Sequence, residues 1–237
     1  MTVHKRKEIE IKVRLGDDFN ALKAARTTVQ QLGFTQNGIR LETDYLPDTN
    51  DDLCKRAGLL LRFRKEETTA SVNWLLTLKW RTDTDGVMDF LEIETDFTNV
   101  DTDTFRHIQL VIMNATGHKL DQSLLESKSF AHLRTILQSS GFDKNRILLD
   151  KYREEYSKGQ DNITLDFFPD GMGTYMEIES HTKRQLESIV KRAKIIPKDV
   201  IVTDYGDLLK EHKKHLPPTE QRVALFSSDE RSTLLGV

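Results

Sequence analysis

The stretch Glu8-Ile9-Glu10-Ile11-Lys12-Val13-Arg14-Leu15 alternates charged and apolar residues without a break. A period of two belongs to a strand with two unlike faces. One face carries Glu8, Glu10, Lys12 and Arg14, and the other Ile9, Ile11, Val13 and Leu15. On an ordinary amphipathic strand the charged face is simply solvated. The weight of this stretch comes from the return of the same alternation, with selected charges, along most of the chain.

Working outward, residues 17–32 read as a helix, with Phe19, Leu22, Ala25, Val29 and Leu32 at helical spacing, Asp17 or Asp18 as the cap and Gly33 as the stop. Residues 38–46 are strand-like, and 50–57 read as a loop or one helical turn. Alternation returns at 59–64, 74–81 and 90–95, three strands joined by turns as in an antiparallel meander. Residues 98–142 break the rhythm, with helical spacing at 103–114 and 130–137, and read as helical cover or an insertion. Strands resume at 146–156, 162–168 and 174–180, followed by helices at 183–193 and 205–215. The expected class is α+β: about eight strands, enough for an antiparallel β-barrel with helices outside. Residues 1–216 form one expected domain; 217–237 lack a period and read as a flexible tail.

Composition narrows the function. The 237 residues are 37% hydrophobic and 31% charged, with a formal net charge of −3, which gives no reason to invoke nucleic acid or an anionic membrane. Cys54 is the single cysteine, so an internal disulfide and a multi-cysteine metal site are both excluded. No apolar run approaches the roughly 20 residues of a membrane helix, and the first residues lack a secretory h-region, so the expected location is cytoplasmic. No histidine pair is spaced for zinc with a glutamate, and no P-loop or Gly-x-Ser-x-Gly elbow occurs.

The charges come in pairs two residues apart. Glu8/Glu10, Glu92/Glu94 and Glu177/Glu179 are acidic; Lys12/Arg14, Arg62/Arg64, Lys79/Arg81 and Lys151/Arg153 are basic. On a strand such neighbours point the same way, about 6.5–7 Å apart. Their apolar alternates need cover, which helices supply. The charged faces then either line an open sheet as exposed cross-strand ion pairs or turn inward in a barrel with a polar interior. In the second case the interior gathers carboxylates, which divalent cations relieve, and Arg and Lys, which match phosphate oxygens. A polyphosphate chelated to Mg²⁺ or Mn²⁺ meets both requirements.

At this point the pattern resembles a known family. Glu8-x-Glu10-x-Lys12 is similar to the E-x-E-x-K motif of the CYTH proteins, or triphosphate tunnel metalloenzymes. The likeness continues in order through Asp44-Tyr45, Arg62-x-Arg64, Thr77-Leu78-Lys79, Glu92-x-Glu94, Lys151-x-Arg153-x-x-Tyr156, Leu165-Asp166, Glu177-x-Glu179 and Tyr205-x-x-Leu208-Leu209. The resemblance implies an eight-stranded tunnel binding a small-molecule triphosphate with Mg²⁺ or Mn²⁺. It implies Glu8, Glu10, Asp166, Glu177 and Glu179 on the metal side, Lys12, Arg62, Arg64, Lys79, Arg81, Lys151 and Arg153 on the phosphates, and Glu8, Glu10 and Lys12 at the centre of the chemistry. Glu92 and Glu94 line the tunnel without an assigned role, and Lys198 is a further tunnel lysine by position in the chain.

The reaction expected from this is metal-dependent hydrolysis of inorganic, nucleoside or thiamine triphosphate. The rival is a class IV adenylyl cyclase, disfavoured because residues 80–91 lack the basic Gly-Pro segment of that branch. A non-catalytic polyphosphate-binding module would keep the cations without needing the carboxylates, and this chain keeps both. Neither the substrate nor a choice between monomer and homodimer follows from the residues.

Overall fold

The computed structural model describes residues 6–83, 88–97, 99–127, 129–142, 147–196, 199–201 and 203–237, with the backbone alone at 6–8, 81–83 and 88–91. The chain is α+β, with one large, mainly antiparallel sheet and, among the described residues, seven α-helices. Eight long strands carry it: β1 (Arg6–Gly16), β2 (Thr35–Leu46), β3 (Leu59–Glu67), β4 (Val72–Asp83), β5 (Met88–Asp96), β6 (Ile147–Lys158), β7 (Asp161–Phe168) and β8 (Gly173–Ser180). Strand β6 pairs with β2 along one edge, and the pairings run on through β3, β4, β5, β1, β8 and β7. Strand β7 then pairs with β6 from Phe167↔Tyr152 to Asp161↔Lys158, which returns the path to its start. Each of these strands therefore has a hydrogen-bonded neighbour on both edges among the described residues.

The period-two pattern sorts the side chains. Outward-facing Ile11, Val13, Leu41, Ile163, Leu165, Met176 and Ile178 are buried under α1 (Phe19–Gln31) and α5 (Lys183–Arg192), which contribute Leu22, Val29, Leu186 and Ile189. Helix α1 starts where Asp18 accepts the N–H groups of Asn20 and Ala21 at 3.0 and 3.1 Å, and ends before Gly33, whose φ of +83° an L side chain resists. The other half of the sheet, through Leu61, Phe63, Leu76, Leu78 and Ile93, is covered by α3 (Thr102–Thr116) and α4 (Phe130–Ser139). Residues 98–142 are thus cover for β3–β5, and Trp74 and Trp80 pack into the same layer. One charge lies under α1: the fully buried Glu154 accepts from Arg26 and from the hydroxyls of Tyr152 (2.9 Å) and Tyr156 (2.8 Å). With all its partners ionised or donating, that carboxylate is tolerated in a dry layer.

A third apolar cluster closes one end. Helix α6 (Tyr205–His212) packs Leu208 and Leu209 against Ile147, Leu149, Phe168 and Tyr175. The approach is close enough that a Cβ on Gly206 would collide with Ile147 Cδ1. Beside it, the single-turn helix α2 (Leu53–Arg56) is joined to α6 by Lys55 Nζ on Asp207 Oδ1 at 2.6 Å. No helix among the described residues is long and apolar enough to cross a membrane.

The C-terminal residues depart from the expected flexible tail. Val223–Ala224 form β10, parallel to Leu148–Leu149 of β6, after the two-residue β9 (Val200–Ile201) against β1. Phe226 is buried, its N–H donating to Asp150 Oδ2 at 3.0 Å, and α7 (Ser228–Leu235) begins at a capping box formed by Ser227 and Glu230. From α7, Arg231 pairs with both Asp150 and Glu67. What escapes a periodicity reading is a helix with no fully buried residue of its own, held by the Phe226 ring before it, by partly buried Leu234 and Leu235 and by charges on distant strands.

Candidate active site

All eight long strands contribute residues to the lining of a cavity of about 650 Å³. Three groups of charges meet there. On β1, β6, β7 and β8, Lys12 Nζ stands 3.4 Å from Glu177 Oε1 and donates to the Thr203 carbonyl at 3.2 Å. Glu177 Oε2 also receives Arg153 Nη2 at 2.8 Å. Arg153 forks onto Asp166, with Nε to Oδ1 at 2.7 Å, and the Tyr205 hydroxyl donates to Asp166 Oδ2 at 3.0 Å. The Tyr205 ring lies beneath Lys12 Nζ, 3.9 Å from its centroid.

The second group is centred on β2. Arg64 grips Asp44 through Nε–Oδ1 at 2.6 Å and Nη2–Oδ2 at 3.0 Å, a bidentate pair. Glu42, one step along the same face, meets Arg64 Nη1 at 3.0 Å, Lys151 Nζ at 2.9 Å and Arg40 Nε at 2.7 Å. Arg40 continues to Glu155 at 2.6 Å and Glu66 at 3.1 Å. In the third group, on β3–β5, Arg62 Nη2 faces Glu94 at 3.2 Å and Glu92 at 3.5 Å, and Lys79 faces Glu92 at 3.2 Å. Thr77 Oγ1 completes it with a hydrogen bond to Glu94 at 3.0 Å.

Burial and charge oppose each other in these groups; charge wins for Glu42, Asp44, Glu92 and Glu177, and burial wins for Glu66. For Glu177 burial is the largest single influence and favours the neutral acid, yet Lys12, Arg153, Lys151 and Lys79 together hold it well below the ordinary carboxylate range. Asp44 is pulled down to about 2 against the same penalty by Arg64, Lys151 and Arg62. Lys151 shows the reverse: burial, then Arg153 and Arg64, lower its ammonium below the usual lysine value. Glu177 and Asp44 are therefore carboxylates at neutral pH, each held by the cations around it.

A family model for the CYTH domain matches residues 6–200. The chain belongs to the CYTH domain family. Members of the CYTH family are enzymes, triphosphatases and adenylyl cyclases among them, and the family is one of metalloenzymes. Similar solved structures include the PH1819 protein of Pyrococcus horikoshii, at 20% identity over 86% of this chain and 99% of that one, with a TM-score of 0.58. A candidate adenylate cyclase of Vibrio parahaemolyticus is similar at 18% identity over 87% and 99%, with a TM-score of 0.58. A candidate adenylyl cyclase of Hippeastrum, described with a dominant triphosphatase activity, is similar at 22% over 90% and 99%, with a TM-score of 0.52. At these identities the likeness bears on the fold. No curated protein matches the sequence.

Within this CYTH cavity stand most of the residues expected at the site: Glu10, Lys12, Arg62, Arg64, Lys79, Glu92, Glu94, Lys151, Arg153, Glu177 and Glu179. Glu8 and Arg81 occupy strand positions in β1 and β4, but their side chains, and Lys198 altogether, lie outside the described residues. Asp166 is fully buried behind Arg153 and engaged by Arg153 and Tyr205. Arg14, paired with Lys12 by spacing, instead stands exposed on Asp17 at 2.7 Å. Arg40 and Glu42 stand among these charges without a role expected from the sequence, and Tyr205, part of the family-like Tyr205-x-x-Leu208-Leu209, without a stated one. The unbroken alternation Arg40-Leu41-Glu42-Thr43-Asp44 would have marked the first two, while the role of Tyr205 has no local signal.

The metal side fits a hard cation of limited demand. Glu10 on β1 lies directly opposite Glu179 on β8, which brings two carboxylates to one part of the cavity lining. Among the described residues no three His, Cys, Asp or Glu side chains are grouped to hold an ion unaided. Mg²⁺ is commonly held by one or two carboxylates with water and substrate phosphates supplying the rest. A pair of carboxylate oxygens facing a cluster of phosphate-type cations suits that mode.

Proposed function

We propose that the sheet closes into an eight-stranded tunnel, and that the cavity inside binds a triphosphate with a divalent cation and hydrolyses its terminal phosphoanhydride. The continuous circuit of strand pairings, sealed by β6 with β7, supports the tunnel. The single observation that carries the activity is the convergence of Lys12, Arg62, Arg64, Lys79, Lys151 and Arg153 on one cavity that also presents Glu10, Glu177 and Glu179.

When bound, a divalent cation neutralises phosphate charge and makes the γ-phosphorus more electrophilic; Glu10 and Glu179, with Glu8 by family likeness, are the residues that would hold it. Arg62 and Lys79 meet the triphosphate from one wall, and Arg64, Lys151 and Arg153 from the other. Their forks and ammonium groups stabilise charge as it moves onto the bridging oxygen. Lys12, held between Glu177, Thr203 and the Tyr205 ring, is aimed at the same space. A water ordered by a cavity carboxylate forms the new P–O bond in line as the bond to the β-phosphate oxygen breaks.

The test incubates the protein with inorganic triphosphate, ATP or thiamine triphosphate, with Mg²⁺, Mn²⁺ or EDTA, and measures phosphate, pyrophosphate and cyclic AMP. Metal-dependent phosphate release is expected, and Glu10→Gln abolishes it while circular dichroism stays unchanged. Cyclic AMP with pyrophosphate, or binding without turnover, overturns the hydrolase; full activity in Glu10→Gln overturns the metal assignment.

A further inference from the structure

Glu42 is fully buried, with 0% of its surface exposed, and lies directly behind the cavity-lining Arg40, Arg64, Lys151 and Arg153. Four cations converge on it: Arg40 Nε at 2.7 Å, Lys151 Nζ at 2.9 Å, Arg64 Nη1 at 3.0 Å and Arg153 Nε at 3.8 Å. Three of these are the cations assigned to phosphate. Its Oε2 faces Lys151 and Arg64 without accepting an aligned hydrogen bond, so charge rather than hydrogen-bond geometry holds that oxygen. A two-oxygen anion among guanidinium forks occupies the kind of setting in which such forks hold a phosphate group.

Its neighbours share these cations with it only in part. Asp44 already satisfies the Nε and Nη2 edge of Arg64, leaving Nη1 to Glu42. Asp44 also lies 3.7 Å from Lys151, Glu155 and Glu66 reach Arg40, and Asp166 and Glu177 reach Arg153. Among the described residues, Glu42 is the carboxylate that contacts cations of β2, β3 and β6 together.

We infer that Glu42 is a resident counter-anion that sets the tunnel's affinity for triphosphate, spacing Arg64, Lys151 and Arg153 while drawing on the charge they would otherwise give the substrate. This rests on reading the cavity as a triphosphate site. Neutralising Glu42 without changing its shape leaves the cations less compensated. The unliganded protein then loses stability, because a buried group has lost its counter-charge, and a polyanion gains affinity, because it restores one.

The experiment measures binding of inorganic triphosphate by calorimetry in EDTA, where turnover is suppressed, together with thermal melting with and without the anion. Glu42→Gln is expected to bind about tenfold more tightly than the unmodified protein, to melt lower alone, and to gain more in Tm from saturating triphosphate. With metal present, KM and kcat fall together, as for a substrate held too firmly. Glu42→Asp keeps the charge but draws it back by about one bond length, ~1.5 Å, and is expected to tighten binding by a smaller factor; it decides the matter if Glu42→Gln does not fold. Unchanged or weaker binding in a folded variant overturns the inference. If the unmodified protein binds no triphosphate, the reading of the cavity itself has failed.

Discussion

Replacing Tyr205 by phenylalanine removes one hydroxyl from a residue that lies beyond the 6–200 matched by the family model yet reaches the centre of the site. That hydroxyl donates to Asp166 Oδ2 at 3.0 Å, and Asp166 in turn fixes the fork of Arg153 through Nε at 2.7 Å. A hydrogen bond to a charged, fully buried partner contributes about 1.5–3 kcal/mol. If the loss appears as misplacement of Arg153 in the transition state, kcat/KM falls by about 10- to 150-fold. The ring, 3.9 Å from Lys12 Nζ, survives in Tyr205→Phe and is lost in Tyr205→Leu. A desolvated cation–π contact of about 2 kcal/mol would cost a further factor of about 30. The assay is phosphate release from triphosphate under metal saturation, with thermal melts to separate local from global loss. A Tyr205→Phe enzyme within about twofold of the unmodified kcat/KM, or a Tyr205→Leu enzyme no slower than Tyr205→Phe, would refute the chain of contacts from α6 to Arg153 and Lys12.

Two further outcomes concern stability. Arg231→Ala strips the buried Asp150 of its cation and should cost about 1.5–3 kcal/mol, or about 3–10 °C in Tm for a chain of this size. Because burial already raises the Asp150 carboxyl above its ordinary value, with Thr43, Arg231 and Phe226 pulling the other way, the penalty should be larger at pH 7 than at pH 4.5, where the neutral acid forms more readily; a shift under 1 °C at both would show that α7 does not hold the sheet. Asp44, ordinarily near 3.8 and here near 2, contributes stability that is complete above the unfolded value and lost as pH falls toward 2. The gap is worth about 2 kcal/mol at 1.36 kcal/mol per pH unit. Urea melts at pH 5, 3 and 2 should show the unmodified protein losing this much more than Asp44→Asn, and parallel losses in the two proteins would contradict it.

The strands were legible because a sheet face has a period of two and this chain keeps it strictly. Ile11 and Val13 could only share a layer, and Glu10 and Lys12 could only share the other. The helix of residues 17–32 was equally plain, since Asp18, a 3.6-residue apolar stripe and Gly33 are all local signals. The same alternation placed eleven of the expected charges, Glu10 through Glu179, around one cavity.

Which charge meets which was not legible, because ion pairing acts over a few ångströms between residues far apart in the chain. Glu42 and Lys151 are brought together only by the β2–β6 register, Glu42↔Lys151, as Arg64 and Asp44 are by the β2–β3 register. Arg14 and Lys12 share a face of β1, but only the length of that strand relative to the cavity sends Arg14 out to Asp17 and Lys12 inward to Glu177. Tyr205 and Arg231 carry no periodic pattern; their positions follow from the docking of α6 and α7 on finished strands. Sequence alone thus determined the α+β class, the two faces of each strand and the stock of charges, all set by neighbours within a few residues. Tertiary structure decided the pairings, the burial of Glu42 and Asp166 and the anchoring of the C-terminal residues, because each depends on register and distance across the sheet.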